Sequence, residues 1–249
     1  GNGSLTLSNA NTYSGNTTIS AGTLKLGNAS ALGSTAGGTS ITAGAVLDLN
    51  GINYSNAEAL TINGTGITSG GAVINSSATG ATYAGLVTLG SAASIVGGSG
   101  TITLSNSGTI TGATFGLTLG GAAGGTITSI IGTTSGTLTK ADAGTWTLNG
   151  ANTYSGNTTI SAGTLKLGNA TALGASSSNV SITSGAVLDL NGQTMTNTNA
   201  ITISGSGIGG NGALINSSAT SATFSGPITL ASDATVKSVG DLTLNGLIN

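Results

Sequence analysis

Residues 10–29 read ANTYSGNTTISAGTLKLGNA, and residues 151–170 read the same twenty letters. Shifting the chain by 141 positions aligns residues 3–98 with 144–239 without a gap, and about 59 of those 96 positions are identical. GAVLDLNG recurs at 44–51 and 185–192, and INSSAT at 74–79 and 215–220. Near residue 240 the register slips by one, so that TITL at 101–104 faces DLTL at 241–244. Residues 1–249 therefore read as one continuous unit holding a complete long repeat and most of a second. The start at Gly1-Asn2-Gly3, with no cleavable signal segment, reads as the interior of a longer chain.

A shorter rhythm runs inside each long repeat. Triplets with aliphatic residues at their ends recur between Gly, Asn and Ser turns: Leu5-Thr6-Leu7, Leu24-Lys25-Leu26, Leu47-Asp48-Leu49, Leu60-Thr61-Ile62, Ile102-Thr103-Leu104, Leu117-Thr118-Leu119. Alternation of this kind predicts short strands with the aliphatics on one face and Thr, Lys or Asp on the other. A sandwich or barrel would show similar strands, but would not tolerate duplication of a whole unit beside its neighbours. A β-solenoid tolerates it, because each coil touches only the coils above and below. The expected fold is an all-β parallel solenoid of roughly 11–12 coils of about 20–23 residues, stacked at ~4.8 Å into a rod about 50–60 Å long.

Composition supports strands and narrows function. The chain has 45 Gly, one Pro, no Cys and no His, 37% hydrophobic and 4% charged residues, and a net charge of −2. That apolar content separates it from disordered Gly/Ser-rich chains. The glycines have no three-residue period, which excludes collagen. No run of about 18 apolar residues exists to span a membrane as a helix, so no membrane insertion is expected. The lysines at 25, 140, 166 and 237 are scattered, which argues against nucleic acid as a partner. Without Cys a disulfide framework and thiolate metal sites are excluded, and no cofactor is expected.

Catalysis would have to rest on Asp48, Glu58, Asp142, Asp189, Asp233 and Asp241 alone, and these are dispersed in sequence. No enzymatic activity is expected. Gly120-Gly121 and Gly124-Gly125 lack the helix and lysine of a phosphate loop and read as turns. Two sets of residues merit a structural role. If neighbouring coils stack their triplets, Lys25 meets Asp48 and Lys166 meets Asp189, all four pointing outward as exposed inter-coil charge pairs worth ~0.2–1 kcal/mol each. Thr101, Thr103, Thr126, Thr128, Thr145 and Thr147 form Thr-x-Thr pairs suited to an outward hydroxyl face that could meet ice or glycan. The simpler account of these threonines is strand preference. The aromatics Tyr13, Tyr154, Tyr83, Phe224, Phe115 and Trp146 are expected to cap or fill the core.

The run Leu138-Thr139-Lys140, then Gly144-Thr145-Trp146-Thr147-Leu148-Asn149-Gly150 through Tyr154-Ser155-Gly156, then Thr158-Thr159-Ile160 through Gly163-Thr164-Leu165-Lys166-Leu167-Gly168, resembles the autotransporter-associated β-strand repeat. Residues 3–27 match the same motif without its lead. The resemblance covers about 30 residues in each long repeat, and Ala141-Asp142-Ala143 departs from it where the motif usually carries glycines. It implies a right-handed parallel β-helix in the passenger region of a large secreted or outer-membrane-anchored surface protein of a Gram-negative bacterium, often an adhesin. The expected function is a structural or adhesive shaft that partners itself through coil stacking or filament assembly. Host, cell or glycan surfaces are the other expected partners, and an ice- or glycan-binding solenoid is the alternative.

Overall fold

The computed structural model describes residues 1–249. Every paired strand runs parallel to its neighbours, and the only helical features are the single 3-10 turns Ile67–Ser69 and Ile208–Gly210. The chain winds through three faces in each coil. We call face I the sheet that contains Thr17–Ile19, Gly38–Ile41 and Ala59–Gly64. Face II carries Ser4–Leu7, Gly22–Leu26, Ala45–Asp48 and Val73–Ile74. Face III begins with Asn53–Tyr54 and Ala81–Tyr83 and continues as nine strands to Val236–Ser238. The ten-residue strand Val87–Val96 turns a corner: its first half pairs with Ala59–Gly64 on face I and its second half with Leu117–Gly120 on face II. Face II alone runs through eleven strands, from Ser4–Leu7 to Ile228–Ala234. Eleven coils at the inter-strand spacing of ~4.8 Å make a rod about 50 Å long.

The triplet alternation sets the core. Down the inside of face II the in-register column reads Leu5, Leu24, Leu47, Val73, Ile95, Leu119, Lys140, Ile160, Ile182, Ile203, Leu230. Similar columns from the other faces join it in one hydrophobic cluster of 49 buried residues. Trp146, Tyr83, Tyr154 and Phe224 are fully buried in it, whereas Tyr13, in the first coil, is 39% exposed.

The long repeat is not a whole number of coils. From Thr17–Ile19 the chain returns to face I at Gly38–Ile41, Ala59–Gly64, Val87, Thr109–Ile110, Ile130–Ile131 and residues 152–154, six times in all. The copy of the starting strand, Thr158–Ile160, comes next, on face II, paired with Leu138–Lys140. Likewise the copy of face II strand Gly22–Leu26 is Thr164–Leu167 on face III. The 141-residue repeat thus advances the winding by six coils and one face. The two identical twenty-residue stretches look out in directions a third of a turn apart, about 30 Å along the axis.

Candidate functional site

Lys25 and Asp48 are register partners, as are Lys166 and Asp189, and each ammonium lies 3.7 Å from the aspartate Oδ2. The expectation of outward, exposed inter-coil charge pairs needs correction on the acidic side. The lysine side chains are about one-third exposed, but both aspartates are 4% exposed. The next coil folds over the carboxylate. Asp48 Oδ2 accepts from Ser76 Oγ at 2.6 Å, and Oδ1 accepts from the backbone N–H of Asn50 and Ser76. Asp189 does the same with Ser217 and Asn191.

Beside each aspartate a buried asparagine completes the corner. Asn75 Oδ1 accepts from the N–H of Gly51 and Ser77, while its Nδ2 donates to the carbonyls of Thr79 and Thr101, which lie one coil apart. Asn216 repeats the pattern with Gly192, Ser218, Thr220 and Asp241. This clamp accounts for the strict recurrence of DLNG and INSSAT. Each polar atom at the corner has one geometric task, and buried donors left unpaired are costly. Asp189→Ala should therefore lower stability by about 2 kcal/mol by orphaning two amides and a hydroxyl. Lys166→Ala should cost under about 0.5 kcal/mol. Amide exchange at Asn191 and Ser217 reads this directly: protection falls in the first variant and holds in the second.

Two further charged groups are buried where sequence reading placed no site. Lys140 occupies an aliphatic position in the face II column, between Leu119 and Ile160, and is 0% exposed. Its Nζ donates to the carbonyls of Ala141 at 2.6 Å, Asp142 at 2.7 Å and Ala162 at 2.9 Å. Three ammonium protons thus meet three acceptors. Burial pushes the amine down to about 8, against the attraction of the Asp142 carboxylate. That carboxylate accepts from Gly121 N–H at 2.7 Å, so the Ala141-Asp142-Ala143 departure from the family motif is a capped corner. The signal for Lys140 was present in the sequence, since Leu138-Thr139-Lys140 sets Lys where Leu117-Thr118-Leu119 sets Leu.

Glu58 is 1% exposed and accepts from Thr39 Oγ1 and Tyr54 OH, both at 2.6 Å. Tyr83 stacks on Tyr54 with ring centroids 5.3 Å apart and donates its OH to the Glu58 carbonyl. Burial foremost raises both phenols, and the Glu58 carboxylate adds to it. In the second copy the corresponding residues are Asn199, Val180, Met195 and Phe224, and Asn199 donates to the carbonyls of Ala175 and Ser178 instead. The two copies thus fill one corner by different chemistry.

The six threonines do not make two continuous ranks. Thr103, Thr126 and Thr147 stand in one outward ladder on face III with Thr82. Thr101 and Thr145 are separated in their column by Gly124, and Thr128 stands in a third column. Coil length varies, so equal sequence motifs do not land at equal heights. The longest ladder lies on face II and unites Thr118, Thr139, Thr159, Ser181, Thr202 and Thr229 on six successive strands, and Ser94, next in the column, is buried.

The remaining surface offers little to a small ligand. The largest hollow is the uncovered side of the first coil, lined by Leu5, Leu7, Tyr13, Ile19 and Leu24. The equivalents of Leu5 and Tyr13 in the second copy, Trp146 and Tyr154, are fully buried, so this hollow is an open end of the stack. No three His, Cys, Asp or Glu side chains gather as a metal site, and no helix is long and apolar enough to cross a membrane.

Comparison with known families finds a match at the two stretches already singled out. Residues 1–26 and 138–167 match the passenger-associated-transport-repeat, in agreement with the resemblance to autotransporter passenger repeats. No curated protein and no solved structure matches the chain.

Proposed function

We propose that this chain is a non-enzymatic, stiff segment of the passenger of a secreted or cell-surface protein, working as a shaft that carries or takes part in adhesion. The passenger-associated repeats support the setting. The observation that carries the mechanical reading is the continuity of the stack: eleven face II strands and nine face III strands around one core, with no break between the two copies. Tension along the axis is shared by parallel hydrogen-bond ladders, and each corner clamp ties a coil to the next. The carboxylates support the non-enzymatic part. Asp48 and Asp189 are locked in clamps, Glu58 is sealed inside, Asp142 caps a turn, Asp233 and Asp241 are exposed, and none of the six lines a hollow.

Electron microscopy of the native material, paired with the mass of the denatured chain, tests this reading. Rods whose length scales with a single chain, at about 4.8 Å per coil, fit a covalent shaft. Filaments far longer than the chain can supply fit end-to-end polymerisation, and compact particles would overturn both. The ice- or glycan-binding alternative draws on the hydroxyl ladders, but Tyr13 is the one exposed aromatic to stack on a sugar. Inhibition of ice recrystallisation, or retention on a glycan column, would move the function there.

A further inference from the structure

We infer that the Asn149-Gly150 bond is a self-modification site, at which the chain converts its own asparagine to aspartate and isoaspartate. The inference is independent of the shaft reading. Seven Asn-Gly bonds occur in the chain, at Asn2, Asn50, Asn63, Asn149, Asn191, Asn211 and Asn245. Such a bond rearranges when the glycine nitrogen reaches the asparagine Cγ, and glycine has no side chain to shield that nitrogen. Two hydrogen bonds prevent it, one holding the glycine N–H and one holding the asparagine side chain. Both are present at four of the sites. Gly51 N–H donates to Asn75 Oδ1 and Asn50 Nδ2 to the Leu26 carbonyl; Gly192 and Asn191 repeat this with Asn216 and Leu167. Gly64 N–H donates to Ser91 Oγ and Asn63 Nδ2 to the Ile41 carbonyl. Gly212 N–H donates to the Ser206 carbonyl, and Asn211 Oδ1 accepts from Lys237 Nζ.

Asn149 has neither bond. Its side chain stands at the surface unpaired, and Gly150 N–H donates to no protein acceptor. The face III ladder ends just before it. Asn149 N–H donates to the Ile127 carbonyl and Gly168 N–H to the Leu148 carbonyl, and the chain then leaves for face I. Packing keeps the glycine in place, since a Cβ on Gly150 would overlap the Ser129 carbonyl of the coil below. At the equivalent place the first copy reads Ser8-Asn9 and has no Asn-Gly bond. Asn2-Gly3 and Asn245-Gly246 also lack both hydrogen bonds, but they lie in the first and last coils, so Asn149 is the unprotected site inside the stack. Local sequence does not single it out: Leu-Asn-Gly stands at 49–51, 148–150 and 190–192 alike.

The reaction needs only water and hydroxide. Hydroxide takes the Gly150 amide proton, the nitrogen attacks Asn149 Cγ, and Nδ2, protonated by water, leaves as ammonia and regenerates the hydroxide. The product is a cyclic imide. Water opens it at Cγ to give aspartate, or at the main-chain carbonyl to give isoaspartate. Nothing is oxidised or reduced. Either product puts a negative charge on the outward side of face III, the side that carries Thr147 and Lys166. Isoaspartate also lengthens the main chain by one carbon at this corner. The second copy thus undergoes a change that Ser8 in the first cannot make, and the copies grow less alike as the chain ages.

Peptide mapping by mass spectrometry tests this on the folded 249-residue chain, held in mildly alkaline buffer and sampled over time. Products should form at Asn149 roughly thirtyfold faster than at Asn50, Asn63, Asn191 or Asn211, where two hydrogen bonds must break first. Isoaspartyl methyltransferase should label the Asn149 peptide. Asn149→Ser, which installs the residue of the first copy, should remove that label and leave the slow background at the four bonded sites. In concentrated urea Asn50, Asn149 and Asn191 should react at similar rates, because their Leu-Asn-Gly contexts match. Equal rates at Asn149 and the bonded sites in the folded chain overturn the inference. So does a lead at Asn149 that persists undiminished in urea, since its cause would then lie in the local sequence and not in the fold.

Discussion

Between pH 8 and pH 10 the folded chain should become more stable, by about 2 kcal/mol, through Lys140 alone. Its amine titrates at about 8 when buried in the face II column and at the ordinary value of 10.5 when the chain unfolds. In the interval the unfolded state holds the extra proton and the folded state does not, so stability climbs with pH. Below pH 8 both states are charged and this gain is absent. The tyrosines set the upper limit. Tyr54, Tyr83 and Tyr154 are all raised, chiefly by burial, so above pH 10 the unfolded chain releases phenolic protons that the folded chain retains, and stability falls again. Urea midpoints measured from pH 7 to 11 should pass through a maximum near 10. Lys140→Met, which keeps the length of the side chain without the charge, should flatten the rise from 8 to 10 while leaving the tyrosine limb in place. A wild-type profile equally flat over that interval would mean that the ammonium is as well solvated by its three carbonyls as by water. Lys140→Ala should lose the same rise, and should cost about 3 kcal/mol near pH 10 and less at pH 8, because it opens a cavity among Leu119, Ile160 and the turn at 141–143 while removing the buried charge.

The strands could be read from the alternation because each triplet is long enough to declare two faces. Leu24-Lys25-Leu26 over Leu47-Asp48-Leu49 gave a register that is also the one in the structure, Leu24 on Leu47 and Lys25 on Asp48. What the triplet could not declare is depth. Asp48 sits on the outward column and is nonetheless buried, because cover comes from Ser76, 28 residues further along the chain. Glu58 was illegible for the same reason: its partners are 19 residues before it, four before it and 25 after it. Lys140 was legible in principle, since its place in the triplet is inward, but its charge argued for the opposite face.

Duplication by six coils and one face bears on why twenty residues are repeated verbatim. The copies do not share a direction in space, so no single outer surface could have kept them alike. They share their own sequence of neighbours. Thr17–Ile19 stacks against Gly38–Ile41 as Thr158–Ile160 stacks against Val180–Ile182, with the same partner spacing of 22 residues. Where one member of a packed corner changed, its neighbours changed with it: Thr39, Tyr54 and Glu58 become Val180, Met195 and Asn199. Identity therefore tracks coil-to-coil fit, the nearest-neighbour logic of a solenoid.

Gly125→Ala should destabilise the chain by about 3 kcal/mol or more, at the upper end of what overpacking costs. Gly125 stands in the inner column of face III between Ile102 and Trp146. A Cβ built there would overlap the Ile102 carbonyl oxygen and lie 2.9 Å from Cη2 and Cζ3 of the indole. Neither neighbour can retreat easily. The carbonyl belongs to the coil below, and the ring is fixed by the bond from Trp146 Nε1 to the Gly120 carbonyl at 2.9 Å. Glycine is thus the residue that lets the one tryptophan lie flat inside the stack. The double variant with Trp146→Leu separates the two clashes: it should recover about 1 kcal/mol relative to the sum of the single changes, because the ring contact is relieved and the carbonyl contact is not. Gly15→Ala, at a position where a Cβ would meet nothing within 4 Å, should stay within about 0.5 kcal/mol of wild type. Urea midpoints at unchanged slope would register these differences. Equal midpoints for Gly125→Ala and Gly15→Ala would mean that the coils can spread at this level and that the indole is not locked.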